Sequence, residues 1–277
     1  MPSRDFQIIC KDYLVSKEEF QLRLLNDFEI LETLPKPENL AIYYESENYI
    51  SHTDAKKSLT DKIYQGVKNY MLQQKLKWIN SIAEGNKILD IGAGTGDFLF
   101  SAKKQNWIVA GVEPNTQARK LALEKGIELQ KDSANFKENS FDVISMWHVL
   151  EHVPNLDIQI EELNRLLKPG GIAVIAVPNF KSFDAAYYQE FWAAYDVPRH
   201  LWHFSQAGIT KLFESYNFKK VETRPLIFDA FYVSLLSEKN RSGKSNFLKA
   251  LKIGGKSNLK ARHTSEYSSL TYFFQKD

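Results

Sequence analysis

Residues Lys87–Phe98 read KILDIGAGTGDF, a short apolar run that breaks into three alternating glycines and then resumes as a helix-forming stretch. Ile88, Leu89 and Ile91 have the density of a buried central strand, with Asp90 near its carboxyl end. Gly92, Gly94 and Gly96 carry no Cβ, so the turn leaves room for a bound molecule to approach the backbone. A second apolar run, Trp107–Val112, ends on Glu113 about twenty residues later. An α/β nucleotide-binding unit keeps at that place the carboxylate that holds ribose hydroxyls. The spacing is G-x-G-x-G. Asp97 stands where a dinucleotide fingerprint has its third glycine, and no G-x-x-x-x-G-K-[ST] phosphate loop occurs.

Working outward, strands and helices alternate. Lys62–Ile82 has the periodicity of an amphipathic helix, and a helix over Asp97–Lys104 follows the glycines. Pro114-Asn115 opens a helix over Thr116–Lys125 that Gly126 ends. Ile127–Gln130 is a short third strand before Asp132-Ser133, and Phe141–Trp147 a fourth. A helix over Leu156–Leu167 stops at Lys168-Pro-Gly-Gly171, and Ile172–Val177 is the fifth strand. After a helix near Ser205–Tyr216 come a strand at Lys219–Pro225, helices at Asp229–Glu238 and Asn246–Ile253, and a final strand at Ser268–Phe274. This rhythm predicts a mostly parallel sheet covered on both faces. Right-handed crossovers gather Gly92–Gly96, Glu113, Asp132 and Trp147-His148 along one sheet edge, where ligands of open α/β sheets bind.

Composition excludes several classes. The chain has 277 residues, 43% hydrophobic and 25% charged, with a net charge of +2. That suits one large globular domain with a small appendage and gives no global case for nucleic acid. The single Cys10 rules out an internal disulfide and fits a reducing cytoplasm. No apolar run has the length of a membrane span, and the start has no signal-peptide pattern.

Asp90–Gly96, Glu113 and the downstream order together resemble the class I (seven-stranded) S-adenosylmethionine-dependent methyltransferases, of the bacterial small-molecule type. The resemblance covers about Ile63 to Lys276 and is strongest over Lys87–Val177. It implies a three-layer Rossmann-like sheet in the order 3-2-1-4-5-7-6 with the last strand antiparallel, and S-adenosylmethionine as cofactor, released as S-adenosylhomocysteine. Asp90, Gly92, Ala93, Gly94 and Gly96 would receive the amino-acid tail. Glu113 and Pro114 would meet the ribose, Asp132 and Ser133 the adenine, and Trp147 and His148 the region of the methyl group. The segment Trp147-His-Val-Leu-Glu-His152 is similar to the family's Glu-His segment after the fourth strand, with His152 read as a structural hydrogen-bonding group.

Methyl transfer needs alignment and a dry pocket, and a base only where the acceptor must lose a proton. Between the fifth strand and the next helix, Asn179–Phe204 holds nine aromatic residues together with Arg199, His200 and His203. It reads as a substrate lid, with a local hydrophobic clasp as the alternative. His200 is the first candidate base, His148 the second, with His203 beside them. No cysteine or ordered third ligand accompanies these histidines, so no metal site is expected.

Residues 1–60 resemble an accessory module that often carries a zinc ribbon in relatives. With Cys10 alone, a metal-free relic is expected, and 61–277 form the catalytic domain. Tyr43–His52 reads equally as a lid over the cofactor or as packing. Lys239–Arg262 has eight Lys or Arg and no acid, a solvated helix face or an anion-binding stripe. Three functions follow. They are a methyltransferase for a carbohydrate, lipid-linked or quinone-like small molecule, an RNA or protein methyltransferase using the 239–262 stripe, and a non-catalytic cofactor-binding relic. The oligomeric state is open.

Overall fold

The computed structural model describes residues 7–25, 28–44 and 59–277. Three N-terminal strands, β1 (Gln7–Lys11), β2 (Glu19–Leu25) and β3 (Ile30–Leu34), form an antiparallel meander. Then follow α1 (Leu59–Asn80), β4 (Lys87–Ile91), α2 (Asp97–Lys103), β5 (Ile108–Val112) and α3 (Thr116–Glu124). Next come β6 (Phe141–Trp147), α4 (Leu156–Leu166), β7 (Leu167–Pro178), α5 (Phe183–Tyr188) and β8 (Trp202–Phe204). The chain finishes with α6 (Gln206–Glu214), β9 (Phe218–Pro225), α7 (Asp229–Ser242), α8 (Phe247–Thr264) and β10 (Ser269–Lys276).

The large sheet runs β5-β4-β6-β7-β10-β9, with β4, β5, β6 and β7 parallel and β10 antiparallel to both neighbours. This is the Rossmann-like methyltransferase order. The expected third strand is reduced to a single rung, Gln130 on Val112, so six strands form the ladder. Alternate residues feed opposite faces. Leu89, Ile144 and Ile175 pack with Ile160 and Leu163 of α4, while Ile88, Val143 and Val174 pack with Leu76 and Ile79 of α1 and Leu99 of α2. Both faces are therefore covered, which is what a parallel sheet requires.

Two boundaries differ from expectation. β7 begins at Leu167, so the Lys168–Gly171 stop lies inside the strand with a register shift opposite Phe141–Val143. Helix α8 runs through Gly254-Gly255 instead of ending there. The reason is contact: a Cβ at Gly254 would lie 2.8 Å from the Phe231 ring and 2.9 Å from the Ala230 carbonyl oxygen, so a bare backbone lets α8 close on α7.

The aromatic insert joins the N-terminal sheet. β8 pairs with β3, placing the insert's last strand in the order β1-β2-β3-β8. Tyr188, Trp192 and Tyr195 are buried in a third core with Cys10, Phe20, Leu22 and Leu31. These aromatics form a hydrophobic clasp, and Trp192 and Tyr195 also line a cavity together with Cys10, Tyr13 and Arg199. Burial and the Glu190 charge push the Cys10 thiol up to about 12, so it stays protonated in this core. Of the Tyr43–His52 segment, residues 45–52 lie outside the described residues. Among the described residues, no helix is long and apolar enough to cross a membrane.

A buried cation rivets the clasp. Arg199, 1% exposed, donates to Asp12 of the N-terminal region at 3.0 Å and to Asp196 at 2.7 Å, and also reaches the Tyr43 carbonyl. Arg199→Ala strands the buried Asp12 carboxylate and is expected to cost about 3–5 kcal/mol of stability. Urea unfolding measures it; a loss below about 1 kcal/mol would mean that Asp12 is held by its backbone donors Leu14 and Ser16 alone.

Candidate functional site

At the end of β4 the chain turns through Gly92, Gly94 and Gly96, all with positive φ (73°, 54° and 74°). An L side chain is strained there, and a Cβ at Gly92 would strike Val149, whereas one at Gly94 would enter open space. The open face at Gly94 is a cradle that any side chain would fill. Glu113, 9% exposed, closes the loop from β5. Its Oε2 accepts the Gly94 N–H at 2.9 Å and its Oε1 the Asn115 N–H at 2.8 Å, which leaves lone pairs for further donors. Ala93 is buried beneath the loop, and Pro114 stands exposed beside Glu113. Asp97 is an anchor: Lys68 of α1 and Lys125 hold it at 2.6 and 2.7 Å, which accounts for an acid in place of a third glycine.

Asp90 is 3% exposed and accepts the Ser145 hydroxyl at 2.6 Å. Burial raises its pKa to about 7 against the lowering pull of Ser145 and Lys75. Lys75 projects from α1 with its ammonium 4.0 Å from the centre of the Trp147 ring. Burial lowers its pKa to about 8, opposed by Asp90 and Asp229. Trp147 also meets Phe98 edge-on at 5.4 Å, and its buried indole Nε1 has no protein partner.

His148 has a φ of 56°, which turns its ring between two carboxylates: Nδ1 lies 3.2 Å from Glu151 and Nε2 3.0 Å from Asp229. Burial opposes its charge, but the bonds to Asp229 and Glu151 win and raise its pKa to about 10. It is a held imidazolium, so it supplies positive charge and not a proton-accepting lone pair. Glu151 is fully buried, with Oε2 left without a partner. The insert docks on this turn: Leu201 N–H donates to the Glu151 carbonyl at 2.8 Å, and the Trp202 indole donates to Val153 at 2.7 Å. His200 is thereby set against Glu151 and His152. One ligand atom from each of these three residues lies within 4.8 Å of the others. His200 donates Nδ1–H to the Ala194 carbonyl at 2.8 Å, which leaves Nε2 as its lone-pair nitrogen. His152 does the same toward the Arg199 carbonyl at 3.0 Å, and burial lowers its pKa to about 4.

His203 does not share this cluster's chemistry. Thr33 spends its hydroxyl proton on the His200 carbonyl, so His203 Nε2 donates to Thr33 at 2.9 Å, and burial holds the ring neutral. Its geometry makes it a tie between β3 and β8. Asp132 is exposed and caps its own turn at Ala134, while Ser133 donates to Glu162 at 2.6 Å. Sequence reasoning missed Lys75, Asp229 and the role of Glu151. Lys75 and Asp229 come from helices remote in sequence, and no local pattern marks them.

A family model described as a methyltransferase domain matches residues 67–223. The chain belongs to the methyltransferase domain family. Its fold is that of solved S-adenosylmethionine-dependent methyltransferases. A ubiquinone biosynthesis O-methyltransferase of Pasteurella multocida is 37% identical over 114 residues, covering 34% of this chain and 47% of that one. A demethylmenaquinone methyltransferase of Staphylococcus aureus is 28% identical over 128 residues, covering 39% and 52%. The matched stretch spans about half the length of these curated relatives. Among solved structures, an S-adenosylmethionine-dependent methyltransferase from Thermotoga maritima shares the fold with a TM-score of 0.54 at 18% identity, covering 79% of this methyltransferase-family chain and 95% of that one. A Haemonchus contortus phosphoethanolamine N-methyltransferase in complex with S-adenosylmethionine gives 0.52 at 20% identity over 75% and 52%.

His148 is expected to stay protonated throughout the neutral range. In Asp229→Asn its titration should move down toward the ordinary histidine value, as followed by the ring resonances in NMR. An unchanged midpoint would remove Asp229 from the pairing.

Proposed function

We propose that this chain transfers the methyl group of S-adenosylmethionine to a hydroxyl of a small, quinone-type acceptor. The observation that carries the cofactor half is Glu113 clamped over the positive-φ glycine loop, a carboxylate with lone pairs to spare beside bare backbone. Glu113 and Pro114 are assigned to the ribose, and Asp132 and Ser133 to the adenine edge. Asp90 is assigned to the tail's ammonium and Lys75 to its carboxylate, since the two opposite charges influence each other across this buried edge. The glycine amides around Gly92–Gly96 line the tail, and the buried Trp147 Nε1, without a partner among the described residues, offers a further donor. The acceptor class is supported by the names of the two curated relatives, which both act in quinone biosynthesis or on menaquinone precursors.

When bound, the cofactor supplies an electrophilic methyl group on a sulfonium that loses its charge on transfer. This chain's part is alignment, exclusion of water and removal of one proton. His200 is assigned as the base. Its Nδ1–H is fixed on Ala194, its Nε2 is the free lone pair, and the buried Glu151 carboxylate steadies the imidazolium that forms. The His148 imidazolium, held by Asp229 and Glu151, lends positive charge beside a developing oxyanion. A second reading is favoured by the same cluster: Glu151, His152 and His200 could hold a divalent cation, since both histidines present Nε2 and Glu151 Oε2 is orphaned.

Turnover that survives chelation supports the base; activity lost to a chelator and restored by one metal ion supports the cation. Glu113→Ala should weaken S-adenosylhomocysteine binding at least tenfold, about 1.4 kcal/mol, by calorimetry. His200→Ala should abolish turnover with that affinity unchanged; normal turnover would take proton removal away from His200. Asp90 must be ionised to meet an ammonium, so affinity should weaken as the pH falls below about 7. A flat profile would detach Asp90 from the tail.

A further inference from the structure

Helix α8 is built inside out. Its buried face against α7 is mostly small: Ala250, Gly254, Ser257 and Ala261, with Ile253. Its large apolar residues point away from the protein, with Leu248 78%, Phe247 63%, Leu259 58% and Leu251 42% exposed. At 3.6 residues per turn, Leu248, Leu251, Gly255 and Leu259 line one outward stripe. Close approach at Gly254 dictates the small inner face. Nothing in the packing of the described residues requires leucines on the outer one, and leaving them in water costs the burial that an inward position would give.

The same outward face is cationic. Lys252 and Arg262 are exposed along the leucine stripe, within a segment that has eight Lys or Arg and no acid from Lys239 to Arg262. The nearby acid Glu238 is nearly buried and already pairs with Lys249 at 3.1 Å, while Lys256 and Lys260 lie over the Phe183 ring at 5.1 and 4.2 Å.

We propose that this face of α8 docks on the surface of an anionic lipid bilayer, with the leucines at the boundary of the acyl chains and the cations among the phosphates. The charge pattern selects the occupant. A second copy packed on the same face would bring one cationic stripe against another. RNA would satisfy the lysines but leave the leucines against a polar backbone. An anionic bilayer satisfies both. α8 is packed on α7, whose first residue, Asp229, bonds His148, so docking would hold the crevice at a fixed distance from the lipid. The surface argument does not depend on methyl transfer.

The test is co-sedimentation of the full chain with vesicles of phosphatidylcholine alone and of phosphatidylcholine mixed with phosphatidylglycerol. The chain should pellet with the mixed vesicles only, and added salt should release it. Leu248→Ser/Leu251→Ser/Leu259→Ser keeps every cation and should weaken binding by about tenfold or more. Lys252→Gln/Arg262→Gln should lose roughly fivefold per cation. All five positions are exposed, so both variants should melt like wild type; if one does not fold, the other still decides. The proposal fails if wild type stays in the supernatant, if neutral vesicles bind as well, or if the serine variant binds like wild type. It also fails if light scattering finds a dimer that the serine variant dissociates. Retention of single-stranded RNA by the serine variant, without vesicle binding by wild type, would make RNA the occupant.

Discussion

The hydrogen bond from Gly94 N–H to Glu113 is the constraint on which the cofactor edge depends. It joins the turns that follow β4 and β5, so one side chain fixes both the path of the loop and the position of an acid at the sheet edge. The loop can accept that path because its three glycines take positive φ at little cost. Beneath it, Asp97 is pinned by Lys68 of α1 and by Lys125 just past the end of α3, which sets where α2 begins. Edge, loop and helix are thus positioned by backbone freedom and a few short polar contacts. The apolar core supplies the bulk of the stability and little of the geometry.

A second seam decides what stands opposite that edge. The turn at Leu150–His152 receives the insert through the Glu151 and Val153 carbonyls, and the insert is in turn riveted to the N-terminal region by Arg199 and by β8 on β3. His200 owes its place to this chain of contacts. The N-terminal strands, although far from the glycine loop in sequence, are part of the scaffold that sets a candidate base. The positive φ at His148 serves the same turn, swinging its ring between Glu151 and Asp229.

Local signals carried most of the fold. The apolar run before Gly92, the acid at 113 and the alternation of elements are each written within a few residues, and they carry the resemblance that implied the sheet order. The short Ile127–Gln130 strand shrank to one rung, and Gly254-Gly255 proved to be a helix crossing, because both depend on what packs alongside. The site was legible only where it lies on strand ends. Lys75 sits on a helix with no distinguishing pattern, and the tautomers of His200 and His203 depend on which carbonyl or hydroxyl each ring meets. The aromatic richness of the insert pointed toward a ligand; its rings pack on the Cys10 core, and Trp192 and Tyr195 also line the cavity beside it. Composition cannot distinguish a ring that faces solvent or substrate from one that faces another strand.

Helix α1 reaches two acids of the cofactor edge, Lys68 pairing with Asp97 and Lys75 influencing Asp90. Any molecule that takes up the charge of Asp90 therefore changes the electrostatic tether of an entire 22-residue helix. Occupancy of the edge and seating of that helix share one free-energy term, and each must shift the other by the same amount. The element that leads into the first strand is thus an electrostatic gauge of whether the crevice is filled.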